Sequence, residues 1–323
     1  MRCIIVTEKR STAFFMNGGA GRILSSIPAF EAYEKENPED DFIIVCEGGM
    51  EMYAGHPTLH KRAYDNWHKG LFEEHLKHRN CKTLEPYRIW EYYNQKASIT
   101  QAFDIEINNK GVRDLDPPSV WLSSVEVAEG VKVVKEVKEN VSKQRVVVFQ
   151  PYGRSAQPVG DQLVDGGGRS FHTDDVVKII KKMQEKYAVI VMSEFPADFQ
   201  KMGCPDPVAQ PEGAPLRIWN GIINAADAFI GCDSVGQHIA HAVKTPAVVC
   251  VGATFPENIS YKDDELFQVL DVGDPKRIYD PIRLSMEDHI SRNNDGIMRL
   301  GDAAIKEILK ELDKKVSDNL RGK

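Results

Sequence analysis

Short apolar runs alternate with amphipathic stretches along most of this chain. The apolar runs predict strands at 2–7, 41–47, 145–151, 188–193, 228–231 and 247–252. The amphipathic stretches predict helices at 22–36, 126–139, 174–187 and 216–226, and a further helix that starts at Asp233. Parallel strands need a crossover connection of this kind. The alternation therefore predicts an α/β fold with doubly wound parallel sheets covered by helices.

The order of these elements predicts two domains. The polar stretch 139–144 separates the two groups of strands, so we expect domains at 1–141 and 142–323. Doubly wound sheets bind ligands at the carboxyl ends of their strands, and two such sheets facing each other form a cleft. At the end of the chain, five apolar residues at helical spacing predict a helix that packs back on a neighbour. These residues are Ile305, Ile308, Leu309, Leu312 and Val316.

Composition narrows the class of protein. The 323 residues are 42% apolar and 28% charged, which is typical of a fully folded chain. No apolar run reaches the roughly 18 to 20 residues that span a bilayer, and the amino terminus lacks a signal-peptide core, so we expect a cytoplasmic protein without integral membrane association. The six cysteines lack CxxC spacing, and Cys46 and Cys250 end apolar runs. This pattern predicts neither disulfides nor a zinc cluster.

The strand at 228–231 ends at residues suited to binding an anion. Asp233 and Ser234 are good helix N-caps, so the helix that carries Gln237 and His238 would start with free backbone N–H groups. Such a start attracts phosphate, and Gly236 would allow close approach. The alternative is that the aspartate only caps the helix and the histidines are ordinary surface residues.

Other loops of the second half end at the same predicted edge. The glycine-rich loop 151–170 supplies Tyr152, Gly153, Arg154 and Arg169. Its arginines are suited to gripping phosphate. Glu194 follows the strand at 188–193, where acidic residues of nucleotide-binding sheets accept ribose hydroxyls. Loop 252–258 follows the last predicted strand. The position of these loops at strand carboxyl ends predicts a nucleotide site.

The first half has a related glycine loop. Gly18, Gly19 and Gly21 precede the predicted helix 22–36, as in phosphate-binding turns. About ten residues separate them from the predicted first strand, so they do not form a dinucleotide fingerprint. This spacing argues against a dinucleotide oxidoreductase.

Two motifs resemble those of a known family. GRILSSIPA, at 21–29, is similar to G-D-x-L-x-x-x-P of the ADP-heptose:lipopolysaccharide heptosyltransferases. DSVGQHIAHAVKTPAVVCVGATFP, at 233–256, is similar to that family's long second motif. The resemblance implies a family 9-like glycosyltransferase with the GT-B fold, in which two Rossmann-like domains face a cleft. It also implies that the first domain binds the acceptor and the second binds the nucleotide sugar.

The same resemblance implies roles for individual residues. The donor diphosphate would be held by Asp233, Ser234, Gly236 and His238. Glu194 would contact the ribose, and Arg154 or Arg169 would replace a phosphate-binding lysine. The donor would be a UDP- or ADP-linked sugar. No cofactor and no metal would be required, because arginines and a helix start can neutralise a diphosphate.

The sequence departs from the family pattern at two points. A glycine follows Val235 instead of standing in its place, and the family's amino-terminal aspartate, its presumed general base, aligns with Arg22. Inverting sugar transfer needs a group that takes the proton of the acceptor hydroxyl. Glu8 and Glu47, near the ends of predicted first-half strands, are the candidate bases; each is alternatively a surface carboxylate.

Residues 60–96 differ in composition from the rest of the chain. They carry eight Lys or Arg against five Asp or Glu, with seven aromatics, in a chain of net charge −7. This composition predicts a polyanionic acceptor. The alternative is that the aromatics are core residues, including Trp67, Trp90, Tyr92 and Tyr93. Of two polyanions we favour DNA with hydroxymethylated bases, as made by some viruses, over the lipopolysaccharide core.

Two other classes of function remain open. A non-catalytic nucleotide-binding module would keep the second-half loops and need no base. A nucleotide-sugar epimerase of related architecture would need no acceptor. Shared architecture does not decide between them and a transferase.

Overall fold

The computed structural model describes residues 11–160, 162–165, 167–259, 261–273, 277 and 296–321. The predicted strand at 2–7 lies outside these residues. Within them, the strands form two parallel sheets and one antiparallel hairpin. No helix in this part of the chain combines the length and the apolar character needed to cross a membrane.

The first sheet has four parallel strands in the order β3-β2-β1-β4. Its strands are β1 (Thr12–Met16), β2 (Ile43–Cys46), β3 (Ala63–Asp65) and β4 (Asn80–Leu84). Only β2 was predicted. The strands β3 and β4 are largely polar and partly exposed, so their sequences lack the apolar run that marks a buried strand.

The helices of the first half are α1 (Ala20–Glu36), α2 (Trp90–Tyr93), α3 (Ile99–Asn108) and α4 (Ser124–Val141). Both α3 and α4 begin with a capping box, formed by Ser98 with Gln101 and by Ser123 with Glu126. In this sheet α1 packs on β1 and β2 through Phe30, which stacks on Phe42 at 6.0 Å. Among the described residues, the π-helical turn Leu71–Leu76 packs on the opposite face of the sheet.

The second half contains β5 (Val146–Gln150), β6 (Ala156–Val159), β7 (Gln162–Asp165), β8 (Ala188–Val191), β9 (Ala228–Cys232), β10 (Ala247–Val251) and β11 (Phe267–Asp271). The hairpin β6–β7 is antiparallel, and the other five strands form a parallel sheet in the order β11-β10-β9-β5-β8. The helices are α5 (Thr173–Met183), α6 (Leu216–Ala225), α7 (Val235–Ala242) and α8 (Asp302–Arg321). The predictions of β5, β8, β9 and β10 are confirmed.

Both faces of the second sheet are covered, as a doubly wound sheet requires. Along β5, Val146 and Val148 face one hydrophobic cluster, which includes α6 and α7. Val147 and Phe149 face the other, which includes α5 and α8. In α8, the predicted face is buried at Ile305, Ile308, Leu312 and Val316, and Leu309 packs partly buried beside them.

Helix α4 packs against α6 at very short range. A Cβ placed on Gly130 would lie 2.2 Å from the carbonyl carbon of Gly221, and a Cβ on Gly221 would lie 2.0 Å from the carbonyl oxygen of Glu126. Only glycine at both positions lets the two backbones come this close. The helix that precedes the predicted domain boundary is therefore packed on the second sheet.

Candidate active site between the two sheets

The glycine loop of the first half follows β1 directly. We predicted about ten residues between the strand at 2–7 and these glycines. In the structure β1 ends at Met16, so the glycines do follow a strand directly. Gly18 has φ 98°, and its backbone N–H donates to Glu47 Oε2 at 2.8 Å. Gly19 is the N-cap of α1 without a capping side chain. This strand, glycine loop and helix start have the geometry of an anion-binding turn.

Arg22 is buried in the first turn of α1. Its exposed fraction is 7%, and its Nη2 donates to the carbonyl of Leu84 at 3.2 Å. The same Nη2 lies 3.7 Å from Glu85 Oε1, and the guanidinium carbon lies 5.0 Å from the ring centroid of Tyr87. Nε and Nη1 have no hydrogen-bond partner among the described residues. A guanidinium stays protonated, so Arg22 cannot act as a base.

Glu85 is the carboxylate that sequence reasoning missed. It follows β4 directly, at the carboxyl edge of the first sheet, and is 14% exposed. Asn17 Nδ2 donates to its Oε2 at 3.2 Å, and its Oε1 has no hydrogen-bond partner in the part of the chain the structure describes. Its backbone N–H donates to Glu106, whose carboxyl has a pKa raised mainly by burial. A prediction of β4 would have placed Glu85 at this edge.

The two predicted bases are placed less favourably. Glu47 follows β2 at the carboxyl edge of the sheet, but it is exposed and one oxygen accepts the N–H of Gly18. Glu8 lies outside the described residues.

On the second sheet, Ser234 is the N-cap of α7, as predicted, but its side chain does not cap the helix. Gln150, at the end of β5, does so instead. Its Oε1 accepts the N–H of Gly236 at 2.8 Å, and its Nε2 donates to Ser234 Oγ at 3.3 Å. The start of α7 therefore has one N–H fewer for a ligand than predicted.

Gly236 is required by packing within the protein. A Cβ there would lie 2.5 Å from Gln150 Oε1 and 2.6 Å from the ring of Phe229. We predicted that this glycine allows close approach of a ligand. The structure gives a different reason, since the ring and the capping amide occupy the space of a side chain.

Asp233 is held as an acceptor beside the helix start. Thr254 Oγ1 donates to its Oδ2 at 2.6 Å, and Nε2 of the fully buried Gln237 donates to its Oδ1. The carboxylate faces Arg169: burial of that guanidinium disfavours its charge, but Asp233 acts together with Tyr87 and Asp165 to raise the pKa of Arg169. Tyr87 of the first half is also among the electrostatic neighbours of Arg169, which places this cation in the cleft.

The described part of the loop 151–170 contains the hairpin β6–β7. Asp165 organises it, because its carboxylate accepts hydrogen bonds from Ser155 Oγ at 2.6 Å, from Gly167 N at 2.7 Å and from Ser170 Oγ at 2.6 Å. Ser170 Oγ in turn accepts the N–H of Gly153 at 2.9 Å. These bonds tie both ends of the hairpin to one carboxylate.

Arg154 extends from this hairpin across the cleft. Its side chain is exposed, and its Nη1 lies 3.2 Å from the position that a Cβ on Gly19 would take. Tyr152, predicted beside it, is instead 5% exposed and packs in the core of the second sheet. Arg154 therefore reaches the glycine loop of the opposite sheet, and Tyr152 packs beneath the segment that carries it.

His238 joins the two sheets. Its Nδ1 lies 2.8 Å from Tyr261 Oη and 3.3 Å from Ser25 Oγ of α1. Its ring also closes on Gly21, where a Cβ would lie 3.1 Å from Cδ2. Burial lowers the pKa of His238 to about 4, so the imidazole is neutral. His241 stacks on Tyr261 at 3.8 Å and is buried away from the cleft.

Glu194 lies apart from these residues. It is exposed just beyond β8, the edge strand, which β5 separates from β9. No contact recorded within the described ranges joins it to Asp233 or to the arginines.

The aromatic residues of 60–96 are mostly on the surface. Trp67 is 86% exposed, Phe72 63%, Trp90 51% and Tyr93 36%, whereas Tyr92 is 3% exposed. The alternative that these aromatics are core residues is right for Tyr92 and wrong for Trp67 and Trp90. Lys96 Nζ lies 4.4 Å above the Trp90 ring, which gives this surface a paired cation and aromatic.

Comparisons with known proteins give a partial sequence match and several structural neighbours. No protein-family model matches the chain. Over 191 residues, 56% of the chain, it is 29% identical to lipopolysaccharide heptosyltransferase 3 of Escherichia coli K12. It spans 44% of the length of that relative.

Solved structures share its fold over nearly the whole chain. A family 9 glycosyltransferase from Veillonella parvula superposes with a TM-score of 0.64 at 11% identity, covering 96% of this chain and 98% of that one. The dodecameric iron-containing heptosyltransferase TibC of enterotoxigenic E. coli, in complex with ADP-D-β-D-heptose, superposes with a TM-score of 0.57 at 12% identity, covering 95% and 77%. These likenesses show the GT-B fold.

Proposed function

We propose that this chain, a divergent heptosyltransferase-like protein of the GT-B fold, transfers a sugar from a nucleoside diphosphate donor to a hydroxyl of a lipopolysaccharide-type glycan. The observation that carries the proposal is the convergence of two helix starts and two arginines in one cleft. Neither Arg154 nor Arg169 forms an ion pair within 4 Å in the described part of the chain, so both have charge to offer a diphosphate.

The donor would occupy the second-sheet side of this cleft. The start of α7 and Arg169 would hold the diphosphate, with Arg154 closing over it from the hairpin. The neutral His238 would contribute a hydrogen bond without adding charge. The relative TibC binds ADP-D-β-D-heptose, so we propose an ADP-linked sugar ahead of a UDP-linked one. Glu194 remains our candidate for the ribose.

The transfer itself needs a base, and we propose Glu85 for this role. The acceptor oxygen would attack the anomeric carbon, the bond from that carbon to the diphosphate oxygen would break, and the hydroxyl proton would pass to the carboxylate. Glu85 is largely buried at the carboxyl edge of the first sheet, and its Oε1, which has no hydrogen-bond partner among the described residues, is the atom that would accept the proton. Arg22 Nη2 lies 3.7 Å from this oxygen and would stay beside the carboxylate during transfer. The outcome would be inversion.

We base the proposed acceptor on the similar proteins and not on the charge of residues 60–96. The sequence relative acts in lipopolysaccharide synthesis by its name, and nothing among the similar proteins concerns DNA. We therefore propose the glycan acceptor in place of the DNA that we favoured from residues 60–96. The exposed Trp67, Trp90 and Tyr93 suit either, because aromatic faces stack on sugars as well as on bases.

The first experiment tests the donor site. We expect ADP to raise the melting temperature more than UDP, GDP or CMP, since a ligand that binds only the folded chain stabilises it. Asp233→Ala, His238→Ala and the exposed Arg154→Ala should each remove the shift, whereas Lys132→Ala on the outer face of α4 should keep it. No shift with any nucleotide would contradict the donor site.

The second experiment separates transfer from binding. Glu85→Gln should retain the ADP shift and lose sugar transfer to a core glycan by at least about a hundredfold, the usual contribution of a general base. Glu47→Gln is the matched control and should remain active. Loss of activity in Glu47→Gln with retention in Glu85→Gln would reverse the assignment. Donor binding without transfer by the wild type would favour the non-catalytic module.

A further inference from the structure

We propose that His68, Glu74 and His75 form a binding site for a first-row divalent metal ion, with Zn²⁺ as its probe. These residues lie on the exposed segment between β3 and β4, on the face of the first sheet opposite to α1. The site is separate from the transfer cleft, and the proposal does not depend on the proposed function.

The three side chains converge. One ligand atom of each residue lies within 4.8 Å of the others, and His75 Nε2 is 3.9 Å from Glu74 Oε2. Ligands of one zinc ion at about 2.1 Å are about 3.4 Å apart. Small rotations of partly exposed side chains therefore bring all three onto one ion.

The backbone is shaped to produce this convergence. Gly70 has φ 83°, a conformation that favours glycine, and it precedes the π-helical turn Leu71–Leu76. A Cβ on Gly70 would lie 2.5 Å from Glu74 Oε1, so any other residue would displace the carboxylate. The glycine thus both reverses the chain after His68 and leaves room for Glu74 to fold back. Single π-type turns often occur at functional sites.

Neighbouring side chains hold the two imidazoles and leave the carboxylate available. The Tyr64 ring lies 4.1 Å from the ring of His75 and 5.4 Å from that of His68. Lys77 pairs with Glu73 at 3.1 Å and not with Glu74. The aromatic ring orients the imidazoles, and Glu74 has no lysine or arginine partner within 4 Å among the described residues.

Two imidazoles and one carboxylate select the class of metal. This donor set suits zinc and other first-row transition ions, whereas Mg²⁺ and Ca²⁺ prefer oxygen ligands alone. A bound ion would clip the turn that carries Leu71 and Leu76, which cover the outer face of the first sheet. The expected role is therefore to stabilise the surface that presents Trp67 and Phe72. This structural role is separate from sugar transfer, for which the sequence predicts no metal requirement.

The test measures zinc binding to the untagged full chain by calorimetry at pH 7.5. We expect one equivalent to bind, and His68→Ala and His75→Ala each to weaken affinity by at least about tenfold, because each removes one of three ligands. His78→Ala, an exposed histidine three residues further on, is the matched control and should bind as the wild type does. Cys81→Ser tests the exposed thiol nearby and should also leave binding unchanged.

A second readout does not depend on affinity. Co²⁺ bound by the wild type should give visible absorption that His68→Ala and His75→Ala lose. Absence of saturable binding by the wild type, or unchanged affinity in the double variant His68→Ala/His75→Ala, would overturn the proposal. Donor binding should be the same with and without zinc, so failure of either proposal is recognisable separately.

Discussion

Protonation of one residue, His238, makes the free energy of unfolding depend on pH. Burial lowers its pKa to about 4, below the value of about 6.5 in the unfolded chain. Between these two pH values the unfolded state binds more protons, so the free energy of unfolding falls as pH falls from 6.5 towards 4. The pKa values of His241 and His172 are also lowered by burial and add to the slope.

The variant His238→Gln isolates this contribution. The difference in unfolding free energy between wild type and variant should shrink by up to about 3 kcal/mol between pH 7 and pH 4.5. Urea unfolding of both proteins at the two pH values measures it, with the unaltered histidines as an internal control. Parallel pH curves for the two proteins would show that His238 is not buried as neutral imidazole.

Residues that follow the apolar strands β5 and β9 could be placed from sequence, whereas those that follow the polar strand β4 could not. Ser234 was predicted as an N-cap because an apolar run ends just before it. Glu85 follows β4, whose side chains are mostly exposed and polar, so no local pattern marked it as a strand end. Gly236 was predicted to allow close approach of a ligand, but its partner Gln150 lies 86 residues away in sequence, and no local rule predicts that contact.

At the scale of elements, the β6–β7 hairpin depends on one carboxylate. Burial alone would raise the pKa of Asp165, but hydrogen bonds from Ser155 and Ser170 outweigh it and lower the pKa. Asp165→Asn removes that charge and half of its acceptor capacity, so hydrogen exchange across 151–170 should accelerate and ADP binding should weaken. Asp174→Asn, at an exposed position on α5, is the control. Unchanged exchange in Asp165→Asn would mean that the backbone alone orders the loop.

The crossing of α4 and α6 depends on two glycines. Gly130→Ala would place a methyl carbon about 2.2 Å from the backbone of Gly221, so the helices must separate. We expect a loss of about 3 kcal/mol in the free energy of unfolding, as for overpacked cores. Urea titration measures it, and Gly111→Ala, with open space around it, should change little. Equal stability of both variants would contradict the close crossing.

The extent of burial explains which strands of the second half the sequence predicted. All residues of β5, β8, β9 and β10 are buried, and their unbroken apolar runs are typical of central parallel strands. The hairpin β6–β7 alternates or exposes its side chains and was predicted only as a glycine-rich loop. Burial on both faces produces the continuous apolar run by which a strand is predicted from sequence.

At the scale of the whole molecule, Asn258 connects the two halves. It is 1% exposed, and its Nδ2 donates to the carbonyls of Tyr92 at 2.7 Å and Ala97 at 3.3 Å. Asn258→Ala leaves both carbonyls without this donor, so the free energy of unfolding should fall by about 2 kcal/mol. Hydrogen exchange at 90–97 should accelerate as well. Asn140→Ala, on the exposed face of α4, should leave both measurements unchanged.

The contact between Ser25 and His238 also has a consequence during synthesis. The two residues are 213 positions apart, so at translation rates of 5–20 residues per second the ribosome makes His238 about 10 to 40 s after Ser25. The strands of the first sheet are complete by Leu84, long before then. Until α7 has been synthesised, the nascent first sheet therefore exposes the face of α1 that carries Gly21 and Ser25.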